Sequence, residues 1–159
     1  MRLRPDQEKI LQQFHRQENL LSELYSIFAT QFPAYKDFWA KLSIEENKHA
    51  KLVEKLGQAS RKGVVLFDEG SIKTFALDTF LKRLETIVER ANKGEINIGA
   101  AFTFAADYET SLIEKNVFTR FGALTEKSKG VLLLLNAETL EHVERVKKMQ
   151  KGLRLQKNV

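Results

Sequence analysis

From Ile10 the apolar residues recur as Ile10, Phe14, Leu21, Tyr25, Phe28 and Phe32, spacings that lay one stripe along one face of a helix. The pattern predicts a helix over about 6–32, stopped by Pro33, whose ring cannot continue a helix interior. A second stripe, Phe38, Trp39, Leu42, Val53 and Leu56, opposes Lys41, Glu45, Lys48, Lys51 and Lys55 and predicts a helix over about 34–57, ending near Gly57. The run Gly63-Val64-Val65-Leu66-Phe67 is apolar and short, and reads as an extended crossover lying on the helices. Ser71 reads as the N-cap of a helix over about 72–91, which carries Phe75, Leu81, Leu84 and Ile87 and ends before Gly94. Two more helices, about 96–121 and 127–153, flank a turn at Gly122-Ala123-Leu124-Thr125.

Two helical hairpins joined by a long middle segment predict an all-α, single-domain chain over 1–159. The architecture expected is a four-helix bundle with an extra helix on its crossover. Facing side chains of such a bundle either pack or build a ligand site, so the polar residues on the inner stripes carry the functional information. Glu18 falls between Phe14, Leu21 and Tyr25; Glu46 falls between Leu42, His49 and Val53. Glu109 falls between Ala105, Leu112 and Asn116, whereas Glu23 and Glu114 fall on outer faces. On the last helix Leu132, Leu135, Thr139, His142, Val146 and Met149 share a face, and Glu138 flanks it one turn before His142.

At a rise of ~1.5 Å per residue, Glu18 and Glu46 lie about 22 and 20 Å from the Pro33 turn, so they face each other. Glu109 and Glu138 both lie about 21 Å from the turn near Ala123, and are level as well.

Converging buried carboxylates need protons, cationic partners or a metal, because an unpaired buried charge costs several kcal/mol. No Lys or Arg shares the inward stripes. Imidazole nitrogen with carboxylate oxygen suits iron, manganese or zinc, and the Glu46-x-x-His49 spacing aims both groups at a common ion from adjacent turns.

Composition narrows this further. The absence of cysteine excludes disulfides, thiolate zinc sites, iron–sulfur centres and cysteine nucleophiles. Lys plus Arg number 26 against 21 Asp plus Glu, a net charge of +5 that is interleaved with acids along the helices. Nucleic acid is therefore not the expected partner, and the basic run Lys147 to Lys157 reads as a solvated helix end, where cations are favoured. The beginning Met1-Arg2-Leu3-Arg4-Pro5-Asp6 lacks an export-type apolar stretch, and no apolar run approaches the ~20 residues of a membrane helix, so a cytoplasmic protein without a membrane partner is expected.

Glu18, six residues, Tyr25, then Glu45-Glu46-Asn47-Lys48-His49-Ala50, loosely repeated as Glu109, six residues, Asn116, then Glu138-Thr139-Leu140-Glu141-His142, resembles the rubrerythrin-related branch of the ferritin-like carboxylate proteins. The resemblance covers about Gln7 to Met149. It implies a ferritin-like fold and a di-iron or related centre used for iron oxidation or for reduction of peroxide or oxygen. On that pattern Glu46 bridges, Glu18 and His49 hold one ion, and Glu109, Glu138 and His142 hold the other. Tyr25 becomes a hydrogen-bond partner of a ligand or a radical sink, as well as a core tyrosine.

The family's second Glu-x-x-His would need a glutamate where Thr139 stands, so one firm metal position and one weaker or empty one are expected. The lack of cysteine also removes the rubredoxin-like domain of full rubrerythrins, so a redox cycle would need an external electron donor. Pairing into homodimers is a family expectation. The competing reading is a non-catalytic interaction bundle that has partly lost its metal site. A nucleic-acid surface on the basic ends, as in DNA-binding mini-ferritins, comes third.

Overall fold

The structure, a computed structural model, describes residues 3–111 and 113–157. The expectations placed on Leu112, on the side chain of Leu135 and on the basic side chains after Leu153 lie outside the described residues. Helix α1 spans Pro5–Gln31; Pro5 opens it, and the backbone N–H of Arg4 donates to Gln7 Oε1 at 2.9 Å. A single 3₁₀ turn at Pro33–Tyr35 leads into α2, Lys36–Arg61. The two helices run antiparallel, tied by the Ser22 and Ser43 hydroxyls and by Arg61 on Glu8. Helix α2 continues past Gly57 for four residues, contrary to the sequence expectation. Gly57 is buried beside Leu11 in the interior of the helix and does not terminate it.

The extended piece becomes strand β1, Val65–Phe67, followed by a turn in which Gly70 takes a positive φ of 54°. Helix α3 spans Thr74–Asn92, so the N-cap position is Lys73 and not Ser71. Gln13 donates to the Thr74 carbonyl and Gln31 to that of Ala91, so α3 lies beside α1 and runs in the same direction. It thereby carries the chain back along the molecule as a crossover. Helix α4, Ile98–Thr110, is capped by Asn97 Oδ1 on the Ala100 N–H.

The single helix expected over 96–121 is interrupted. After α4 come α5, Ile113–Phe118, and strand β2, Phe121–Ala123, before α6 runs over Glu126–Lys157. The Thr110 hydroxyl donates to the Ala106 carbonyl and that of Ser111 to the Tyr108 carbonyl, bonds that accompany the end of the regular ladder. Strands β1 and β2 pair antiparallel, Val65 with Ala123 and Phe67 with Phe121. Reciprocal bonds between Thr125 and Ser128 start α6.

The chain is thus all-α apart from this two-stranded ribbon. Its core is two apolar clusters. One gathers Tyr25, Phe28, Trp39, Phe102 and Val146; the other gathers Phe14, Val53, Leu56, Phe118, Phe121 and Leu132. Along α1, α2 and α6 the buried Glu and His residues sit between a member of one cluster and a member of the other, so the interior there is layered apolar, polar, apolar.

Candidate metal centre

The polar layer draws Glu18 from α1, Glu46 and His49 from α2, Glu109 from α4, Glu114 from α5 and His142 from α6. All six are buried, none more than 3% exposed. Spacing explains the pairs: Glu46 and His49 lie one turn apart on the stripe that also buries Leu42 and Val53. Glu23 is exposed, as its position predicts.

Glu114 reverses the sequence expectation. Five residues past Glu109 in an unbroken helix would turn it roughly 140° away, onto the outside. The break between α4 and α5 removes that register, and Glu114 points inward, 2% exposed. The Thr110-Ser111 pair is the one sequence signal that could have marked this, since both hydroxyls compete for the carbonyls of the preceding turn. Asn116, placed on the inner stripe by the same unbroken register, is exposed.

The side chains converge closely. One ligand atom from each of Glu46, His49, Glu114 and His142 lies within 4.8 Å of the others. Glu46 stands at the middle: His49 Nδ1 is 3.5 Å from its Oε2 and His142 Nδ1 is 3.6 Å from its Oε1. Glu114 Oε2 lies 3.8 Å from His49 Nδ1. The two imidazoles stack at 5.0 Å, and Phe118 meets the edge of His49 at 5.6 Å. No described residue hydrogen-bonds to either oxygen of Glu18 or Glu46, to either nitrogen of His49, or to His142 Nδ1, Glu109 Oε1 or Glu114 Oε2. Comparison with protein-family models, with curated proteins and with solved structures finds no match to this chain. Function therefore has to be read from the site's own chemistry.

Burial raises the Glu18 and Glu114 carboxyls well above the usual range, reinforced by the charges around them. Burial acts on Glu46 in the same sense, but Glu18, His142 and His49 close around it and hold it well below its ordinary value. Glu109 is pushed up to about 8, by burial and then by the charge of Glu46. Without a cation the layer thus favours protons on the carboxyls around Glu46 and charge on Glu46 itself, and a metal ion binding there would release such protons.

Further partners surround these groups. Gln17 donates to the Tyr108 hydroxyl at 2.8 Å, and Tyr108 donates to Glu114 Oε1 at 3.3 Å, which fixes the carboxylate from α1 through α4. Glu45, on the flank of α2, accepts from His142 Nε2 at 2.8 Å and from Arg145 Nη1 at 2.6 Å. Burial opposes ionisation of Glu45, and those two donors outweigh it, holding it at about 2. Burial opposes the charged His142 ring as well, yet Glu45 and Glu46 raise it to about 10.

Glu138 does not enter the buried group. Its side chain is 47% exposed, at the rim, with Oε2 3.9 Å from His49 Nε2. Thr139, at the position where the resemblance wants a glutamate, is buried and brings no carboxylate. Tyr25 is buried against Trp39 with its hydroxyl unpartnered, and burial followed by the charge of Glu109 raises it well above the ordinary tyrosine value. Among the described residues no helix is long and apolar enough to cross a membrane.

Proposed function

We propose that the chain is a metal-binding protein of ferritin-like design whose polar layer holds iron, as one ion or two, for oxidase- or peroxidase-type redox chemistry or for iron handling. The observation that carries this reading is the convergence of Glu46, His49, Glu114 and His142 within 4.8 Å, buried and with unpartnered donor atoms turned toward one another. Two imidazoles and two carboxylates form a donor set for borderline divalent metals such as iron, manganese and zinc. Glu18 and Glu109, buried and close enough to feel the charge of Glu46, are further oxygen donors for such an ion or a second one. Glu138, half-exposed beside His49, occupies the rim through which an ion would pass.

A bound redox ion would supply electron transfer to oxygen or peroxide. The protein's contribution is to seal the layer between two apolar clusters, orient the carboxylates, and provide Tyr25 and Tyr108 hydroxyls close to them. If the site is redox active, its turnover would draw on an external electron donor. The thinner alternative, a bundle that has partly lost its site, is favoured only by Thr139, and Glu114 offsets it by supplying a carboxylate from another element.

The test is the metal content of the full chain purified without chelator. About one or two equivalents of iron, manganese or zinc per chain, lost in Glu46→Ala, is the expected result. Less than half an equivalent, unaffected by that substitution, would refute the reading.

A further inference from the structure

The two histidines of the layer are not equivalent. His142 is gripped from behind: its Nε2 lies 2.8 Å from Glu45 Oε2, and the same oxygen receives Arg145 Nη1 at 2.6 Å. Arg145 spends its other terminal nitrogen on Glu141, one turn back along α6, at 2.7 Å. The guanidinium is thus fixed by two carboxylates, and Glu45 is fixed by two donors from α6. Glu45 and Arg145 are 19% and 18% exposed, sheltered enough for the pairing to hold its geometry.

His49 has nothing comparable. Neither of its nitrogens has a hydrogen-bond partner, and its nearest outer carboxylate is the half-exposed Glu138, at 3.9 Å.

We infer, resting on the metal-binding reading above, that Glu45, clamped by Arg145, is a positioning residue that holds the Nε2–H of His142 and presents its Nδ1 as a metal ligand. Three consequences follow from the geometry. The ring has a single orientation in which Nδ1 faces Glu46, so no rotation has to be frozen when an ion arrives. The acceptor behind Nε2–H makes Nδ1 a better donor, as outer carboxylates do for ligating imidazoles. Finally, Arg145 keeps Glu45 itself out of the ligand set, since an oxygen engaged by two donors on the flank of α2 is not free to turn inward. The network also joins α2 to α6 directly, so closure of the layer and orientation of His142 are one event.

The experiment uses the full chain labelled with ¹⁵N-histidine and loaded with one equivalent of Zn²⁺. Two-bond ¹H–¹⁵N spectra report which ring nitrogen is metallated, and a chelator competition gives the Zn²⁺ affinity. The wild type should show His142 metallated at Nδ1 with the proton on Nε2. Glu45→Ala should lower affinity by about 10–100-fold and mix the two modes of His142 ligation, leaving the His49 signals in place. Glu45→Gln, whose amide oxygen still accepts from Nε2–H, should restore single Nδ1 ligation and most of the affinity.

Zn²⁺ on Nε2 of His142 in the wild type, or affinity in Glu45→Ala within twofold of wild type, would overturn the assignment while leaving metal binding intact. A weakened Glu45→Ala that keeps pure Nδ1 ligation would overturn it too, because that is the mark of a merely structural contact. A wild type that takes up no Zn²⁺, iron or manganese overturns the metal-binding reading and this assignment together.

Discussion

The carboxylate of Glu114 is held by Tyr108, which is held in turn by Gln17, and its other oxygen faces His49. Glu138 approaches the same imidazole from the solvent side. Glu114→Gln keeps the shape and removes the charge, and is expected to cost at least about 10-fold in Zn²⁺ affinity, the scale on which even supporting partners act. Glu138→Gln should cost no more than about fivefold, as for an exposed pair worth under ~1 kcal/mol. A chelator competition run on both variants checks the ranking. Glu109 sets a pH dependence. Its carboxyl is raised from 4.5 to about 8, so the neutral form is favoured in the folded state. The resulting stabilisation is complete below its ordinary value and is lost as pH rises through about 8. His142, raised to about 10, acts in the same sense above its ordinary 6.5. Thermal melts of chelator-treated protein should show Tm falling from pH 4.5 to 8, and Glu109→Gln should flatten that slope.

The break between α4 and α5 decides which carboxylate faces inward. Thr110→Ala with Ser111→Ala removes the two hydroxyls that bond back to carbonyls of the preceding turn and favours an unbroken helix. The double variant is expected to bind Zn²⁺ at least about 10-fold more weakly while its circular dichroism shows equal or greater helicity, because Glu114 rotates outward. The same break marks the limit of what the sequence disclosed. Periodicity located α1, α2, α3 and α6 and the inward Glu18, Glu46, His49, Glu109 and His142, since each of these residues lies on a stripe whose apolar members are buried by the same geometry. It misplaced Glu114 and Asn116 because a stripe can be extended only while the ladder is regular. It ended α2 at Gly57 because a glycine inside a helix looks, in sequence, like one that terminates it. The pairing of β1 with β2 was illegible for another reason: two three-residue strands far apart in the chain carry no mutual signal.

Six groups from five helices meet in one layer, so an ion there adds a shared link to elements that already meet through the apolar clusters and a few hydrogen bonds and ion pairs. A ligand present at 100 times its Kd stabilises the folded chain by about 2.7 kcal/mol, which for a domain of this size raises Tm by roughly 5–10 °C. Calorimetry with and without Zn²⁺ should show that rise in the wild type and not in Glu46→Ala. The β1–β2 ribbon bears on the molecule in a different way. It fastens the stretch entering α3 to the stretch leaving α5, so α3, α4 and α5 form a loop whose ends are already joined. At the far side of that loop lies the exposed turn at Gly94, with a positive φ of 71° and no neighbour within 4 Å of where a side chain would start. A chain opened at that turn would keep the ladder between its two fragments. Opening the backbone at Gly94 is therefore expected to give two halves that find each other again, which mixing the separately expressed fragments and following their circular dichroism would check.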